Sequence, residues 1–211
     1  MVGENSINIY GYHYKPMITF LWGLTPTMAE LTGRDVLPTY NYFRIYRQGD
    51  ICRVHSDRAS CEHSLSLTLG YSDGKPWELE IGSNPIDEVL APRDEWGDEA
   101  HRAIPMEPGD AVLYQGVTHR HARVKPNPNR WSAHMFLHWV DRDGPHRDCA
   151  FDGQVPPDAP VEAFGKRAMA PNDTHTGRCG SLTGPRVGPT GHSPAQNDRS
   201  AGATSNTPLP P

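Results

Sequence analysis

The chain has 211 residues, a formal net charge of −5, and only 36% hydrophobic residues alongside 20 Gly and 21 Pro. An acidic balance argues against a general nucleic-acid binder. The longest apolar stretch, Met17 to Leu24, is interrupted by Thr19 and Gly23 and falls well short of the ~18 residues of a membrane span. Four cysteines (Cys52, Cys61, Cys149, Cys179) form no CxxC pair, so the pattern is neither that of a zinc finger nor of a disulfide scaffold. The opening MVGENSINIY has no basic n-region and no apolar h-region, so no signal peptide is expected and the expected setting is reducing and cytoplasmic.

The composition is unevenly distributed. All 5 Trp and all 8 Tyr precede residue 141, whereas the 70 residues from Arg142 to Pro211 contain 11 Pro and 9 Gly. Such a segment has too little apolar surface to offset its ordering entropy. The expectation is a folded domain over 1–141 followed by a disordered tail over 142–211.

Leu24 to Gly33 reads as a helix: Thr25 as cap or Thr27-x-x-Glu30 as capping box, Pro26 in the first turn, Gly33 beyond the end. Upstream, the extent of helix from Tyr14 to Leu21 is left open. From Thr39 to Tyr46 the chain is aromatic and β-branched, the texture of a strand. Arg47 to Asp50 is a turn, and Ile51 to His55 a second strand. Ser64 to Leu69 alternates polar and apolar residues with period 2, as a half-buried strand does. Trp77 to Ile81, Ala111 to Tyr114, Val117 to Val124 and Trp131 to Val140 read as further strands, and the polar stretch Asn84 to His101 as a loop or short helix. Many short strands separated by turn signals indicate a sandwich or barrel.

Chemistry concentrates at three places. His55-Ser56-Asp57 lies where a strand meets a turn, and residues two apart in a strand share a face, so imidazole and carboxylate can converge on one ion. After the Gly109-Asp110 turn comes His119-Arg120-His121, and nine residues past His121 stands Arg130, in Asn129-Arg130-Trp131-Ser132. Two His and one carboxylate with open positions form the facial triad of non-haem Fe(II) oxygenases. A guanidinium one short strand away suits a dicarboxylate. His119 and His121 lie on the same strand face, so direction alone does not choose between them. His134 and His138, four apart, share a face of the last strand and read as structural residues.

With these residues in place, the sequence resembles the 2-oxoglutarate/Fe(II)-dependent dioxygenases, in particular their prolyl-hydroxylase-like branch. The resemblance spans about Ile9 to Asp141. It rests on His55-x-Asp57, His121 and Arg130, together with Tyr46-x-x-Gly49, Pro108-Gly109-Asp110-Ala111-Val112-Leu113-Tyr114 and Arg130-x-Ser132. Leu37-Pro38-Thr39-Tyr40, Asp57 to Glu62 and Phe136-Leu137-His138-Trp139 are similar to a subgroup of microbial and phage proteins, in which the distal His follows the Tyr of the PGD strand by seven residues. Counted from Tyr114, that residue is His121.

The resemblance implies a mainly β chain with an N-terminal helix, folded as a double-stranded β-helix or jelly-roll barrel. It implies Fe(II) held by His55, Asp57 and His121, and 2-oxoglutarate held by Arg130 with help from Ser132, Tyr46 and Thr68. With O2, such a site would hydroxylate an amino-acid side chain, free or in a protein; the partner is then a small-molecule or peptidyl substrate. Three alternatives stand beside this reading. One is a nucleobase-oxidising dioxygenase, whose branch carries a second Arg near the 2-oxoglutarate Arg; Arg123, seven before Arg130, is the nearest candidate. Another is a non-catalytic jelly-roll binding module that retains the metal site, and the last is a cupin-type metal protein.

Overall fold

A computed structural model describes residues 6–153. Its elements in chain order are β1 (Ile7–Tyr10), α1 (Lys15–Gly23), α2 (Thr25–Thr32), β2 (Val36–Arg47), β3 (Cys52–His55), β4 (His63–Tyr71), β5 (Leu79–Gly82), β6 (His101–Ile104), β7 (Ala111–Tyr114), β8 (His121–Arg123) and β9 (Trp131–Asp141). Two antiparallel sheets form, one in the order β1-β2-β9-β4-β7 and the other β3-β8-β5-β6. From β2 onward the chain crosses between the sheets at nearly every connection, and this winding is a double-stranded β-helix. The fold is mainly β with helices at the N-terminal end. Among the described residues no helix is long and apolar enough to cross a membrane.

The helices cover the outer face of the larger sheet. Leu21 of α1 and Met28 of α2 pack with Leu65, Leu137 and Trp139. This arrangement explains the alternation in β4. Its Leu65 and Leu67 face the helices, while Ser64, Ser66 and Thr68 are fully buried on the other side, inside the barrel. The period of 2 separates two buried environments, one apolar and one polar, and not core from solvent. β9 repeats the pattern: Leu137 and Trp139 face the helices, and Ser132, His134, Phe136 and His138 face inward across β2 and β4.

Several local expectations are corrected. Thr25 does not cap α2: its hydroxyl donates to the Leu21 carbonyl at 3.3 Å and accepts the Trp139 indole N–H at 3.1 Å. The upstream segment is a separate helix, α1, and Gly33 ends α2 with φ +65°, a conformation glycine adopts without steric cost. β2 begins at Val36 and carries Pro38 at a register shift, where a missing N–H is tolerated. Strands β1 and β6 were not among the expected strands; β6 begins at His101, where the stretch read as a loop or short helix ends. Of Val117 to Val124 only His121–Arg123 is strand.

The folded part also runs past Asp141. A segment of 3-10 turns kinked at Ala150 to Asp152, Arg147–Gly153, follows β9, and Cys149 and Ala150 are buried against Leu37 and Val140. The rest of the predicted tail, 154–211, lies outside the described residues.

Candidate metal centre and anion pocket

β3 and β8 are antiparallel neighbours with His55 opposite His121, which brings their ring centroids to 4.4 Å. Asp57 follows β3 in a turn that is tied down by its own N–H donating to the Gly116 carbonyl at 2.8 Å. Its two carboxylate oxygens each meet one imidazole: Oδ1 lies 3.5 Å from His55 Nε2 and Oδ2 lies 3.4 Å from His121 Nε2. Donor atoms of all three residues fall within 4.8 Å of one another.

The other ring nitrogens explain what this arrangement suits. His55 Nδ1 is 2.7 Å from the Arg53 carbonyl, and His121 Nδ1 is 3.1 Å from the His119 carbonyl. A carbonyl only accepts, so both Nδ1 atoms carry hydrogen and both Nε2 lone pairs can face the carboxylate. With both imidazoles neutral, three acceptors converge on one point, an arrangement that a cation among them would satisfy. Two imidazole nitrogens and one carboxylate oxygen, each imidazole oriented by a backbone carbonyl, make a donor set that fits a first-row divalent metal. Burial works against ionising Asp57, but His121 and His55 outweigh it and hold its carboxyl well below the usual carboxylate range.

Two features tighten this corner. A Cβ on Gly116 would lie 2.7 Å from Asp57 Oδ2 and from Ser64 Oγ, so only glycine lets the post-β7 turn approach this closely. Arg120, with no exposed surface, donates to Glu99 at 3.0 Å and to the Val54 carbonyl at 3.1 Å, bracing β3 beside His55.

Arg123 is two residues beyond His121 on β8 and therefore shares its face, at a spacing of ~7 Å along the strand. It is 1% exposed, and its guanidinium lies 5.1 Å from the Trp77 ring centroid. It donates to the Trp77 carbonyl, and one Nη approaches Met106 Sδ at 3.6 Å and His134 Nδ1 at 3.4 Å. Burial pulls its pKa below the ordinary guanidinium value. Among the described residues, no carboxylate lies within ion-pair distance of it. A buried cation without a counter-anion is costly, so this pocket is suited to an anion.

The residues expected to hold a cosubstrate divide between inside and outside. Tyr46 (1% exposed) packs edge-on against Trp77 and His134, and Thr68 Oγ1 is 3.4 Å from His134 Nδ1, so both belong to the Arg123 pocket. Ser132 faces inward, but its hydroxyl donates to Asn127 Oδ1 at 2.6 Å and accepts from Asn129 at 3.3 Å. Arg130 is elsewhere. It precedes the first residue of β9, at the barrel's end, with its side chain 76% exposed and its Nε 3.4 Å from Asp73 Oδ1. It lines an outer groove of about 700 Å³ with Ile45, Arg47 and Trp131. His119 is also apart from the trio, in a groove of about 590 Å³ with Tyr114, Arg102 and Ile104 between the edges of the two sheets.

Sequence reasoning overlooked Arg123 as an inward cation, although its i+2 relation to His121 carried the signal. His138, read as structural, is 2% exposed, with its Nδ1 2.9 Å from Ser64 Oγ and its ring tilted against Tyr40 at 4.7 Å; with Cys61 it also lies within 4.8 Å of Asp57. Burial pushes its imidazole down to about 4.

No family model and no curated protein matches the chain. Solved structures with a related backbone include a 2OG-Fe(II) oxygenase family oxidoreductase from Burkholderia pseudomallei (14% identity, TM-score 0.43). That alignment covers 61% of this chain and 60% of the other, so this chain spans about three-fifths of that protein's length. The non-haem alpha-ketoglutarate-dependent epimerase SnoN from nogalamycin biosynthesis aligns at 8% identity and TM-score 0.42, over 70% of this chain and 68% of that one. A cupin-like protein from Thermotoga maritima aligns at 13% identity and TM-score 0.28, over 55% and 75%.

Proposed function

We propose that this protein is an Fe(II)- and 2-oxoglutarate-dependent oxygenase. The observation that carries the reading is that a His-Asp-His donor set, partly exposed at Asp57, stands beside a buried guanidinium with no carboxylate in ion-pair range among the described residues, and that His121 and Arg123 share one face of β8. His55, Asp57 and His121 would hold the metal. Bound Fe(II) with 2-oxoglutarate would supply the oxidising chemistry, consuming O2 and releasing succinate and CO2.

The chain's own contribution is orientation. The Arg53 and His119 carbonyls fix the two imidazoles, Gly116 fixes Asp57, and Arg123 takes the far carboxylate of the cosubstrate. Tyr46, Thr68 and Trp77 shield that ion pair from water, which strengthens it. Arg123 therefore assumes the role expected of Arg130. The reassignment also weakens the nucleobase reading, which needed Arg123 and Arg130 as a pair in one site. A cupin-type centre is disfavoured too, since it usually gathers more His ligands and has no paired Arg. The substrate we infer is an amino-acid side chain, free or peptidyl, and the setting we infer is cytoplasmic.

Wild-type protein supplied with Fe(II), 2-oxoglutarate and air should form succinate slowly without added substrate, and faster with the correct member of an amino-acid and peptide panel. The His121→Ala variant should form none. Wild-type protein that neither binds 2-oxoglutarate nor forms succinate above the iron-free control contradicts the reading.

A further inference from the structure

A second inward-facing cation has no part in the metal corner or the Arg123 pocket. In β2, Tyr42, Arg44 and Tyr46 stand directly opposite Phe136, His134 and Ser132 of β9. Residues opposite each other in a strand pair share a face, so all three point into the barrel. On their other side Arg44 is paired with Asn8, and Tyr42 with Tyr10, in the edge strand β1.

Arg44 is held in place but not neutralised. Its Nε donates to Asn8 Oδ1 at 2.5 Å, and one Nη donates to Tyr46 OH at 3.4 Å. Its Cζ lies 5.4 Å from the Tyr42 ring centroid and 5.5 Å from that of Tyr46, within the range of cation–π attraction. Among the described residues no carboxylate lies within ion-pair distance of it. With Nε and one Nη engaged, N–H groups on both Nη atoms remain for an incoming anion, and the planar fork matches a carboxylate. Arg44 shares no hydrogen-bond partner with Arg123, which bonds to Trp77, Met106 and His134.

Between Arg44 and the metal donors the barrel wall is aromatic. Tyr42 stacks on Phe136 at 5.0 Å and on Tyr40 at 6.0 Å. Tyr40 in turn lies 4.7 Å from the His138 ring, and its OH is 3.3 Å from Cys61 Sγ. His138 and Cys61 each bring a donor atom within 4.8 Å of Asp57. A ligand lying along this wall meets a cation at one end, ring faces in the middle and the metal corner at the other.

We propose that Arg44 anchors the carboxylate of the substrate, and that the substrate is a free carboxylic acid with an apolar body, such as an apolar free amino acid, and not a residue inside a peptide chain. The proposal rests on the functional reading above and narrows it. With its carboxylate on Arg44 and its body along Tyr42 and Tyr40, such an acid directs its far end toward His55, Asp57 and His121. A carboxamide or a peptide bond in the same place leaves the guanidinium without a counter-charge, so the site discriminates against both.

The test measures succinate formation by the full-length protein with Fe(II), 2-oxoglutarate and air. The added compounds are free leucine, valine and phenylalanine, their carboxamides, and tripeptides carrying the same residues with both ends capped. In wild type at least one free acid should accelerate succinate formation, with kcat/KM roughly tenfold or more above that of its carboxamide, the scale of a charge-assisted hydrogen bond. The capped peptides should not accelerate it. Arg44→Met, which keeps an apolar stem and loses the fork, should raise the KM of that acid by a similar factor and erase its advantage, with the carboxamide's own kcat/KM unaltered. Arg44→Lys should keep part of the preference. A merely structural role would weaken acid and carboxamide alike. Wild type that responds equally to acid and carboxamide, only to capped peptides, or to none of these compounds overturns the assignment of Arg44, and this comparison needs no variant to fold. Retention of the acid preference by Arg44→Met overturns it too. In each of these cases basal succinate formation leaves the functional reading in place. Wild type that forms no succinate above the iron-free control overturns that reading as well.

Discussion

Arg123 and Arg130 are seven positions apart and occupy opposite environments, one 1% exposed inside the barrel, the other paired with Asp73 at its rim. Their substitutions should therefore separate. Arg123→Ala should weaken 2-oxoglutarate binding to the metal-loaded protein by ~3–5 kcal/mol, the cost of stripping a buried charge of its partner, and Arg123→Lys should lose part of this because it lacks the planar fork. Arg130→Ala should leave the affinity nearly unchanged, since exposed ion pairs contribute ~0–1 kcal/mol. The opposite ranking by calorimetry would return the role to Arg130. Spacing from His121 pointed to Arg130 because it presumed that the last strand begins early enough to turn that side chain inward. β9 begins one residue later, and nothing local in the sequence fixes that boundary. Gly116 was likewise invisible, because its constraint comes from Asp57 and Ser64, distant in sequence. Gly116→Ala should cost ~1–3 kcal/mol by overpacking and weaken metal binding by displacing Asp57; unaltered metal affinity in this variant would show that the corner can yield.

At the level of elements, the sequence was most readable where a pattern reports local chemistry. The aromatic, β-branched run of β2 and the alternation of β4 both became strands. Two-residue periodicity could not say which face meets solvent, because α1 and α2 bury the face of β4 that would otherwise be exposed. Short edge strands β1 and β6 were missed, since their pairing depends on neighbours and not on their own composition. The C-terminal boundary was placed too early for a similar reason. Cys149 and Ala150 sit in a Pro- and Gly-containing context, yet they fill a space against Leu37 and Val140, and Asp152 pairs with Arg58 at 2.7 Å. A chain ending at Gly144 should be less stable than one ending at Gly153 by about 2–5 kcal/mol, the range for emptying a packed apolar site. Superimposable urea melts of the two would remove the 3-10 segment from the folded unit.

Taken whole, the molecule packs one apolar cluster between the helices and the larger sheet, and inside the barrel it sets apolar side chains such as Trp77, Phe136 and Met106 beside many polar and ionisable ones. Ser64, Ser66, Thr68, His134, His138 and Arg123 are all buried there. Such an interior is expensive to assemble and is retained where groups must be held ready for a ligand. The candidate pair His55-x-Asp57 was legible in the sequence from strand geometry, whereas the choice of His121 over His119 came from the resemblance, counted from Tyr114. The candidate anion site around Arg123 was not legible, because it gathers residues from β2, β4, β8 and β9. The most direct test is anaerobic Fe(II) titration of wild type and of the His55→Ala, His121→Ala and His119→Ala variants. One equivalent should bind to wild type and to His119→Ala. In His55→Ala and His121→Ala the affinity should fall by more than the ~10–100-fold caused by losing a supporting neighbour. Retention of iron by His121→Ala together with its loss in His119→Ala would contradict the account.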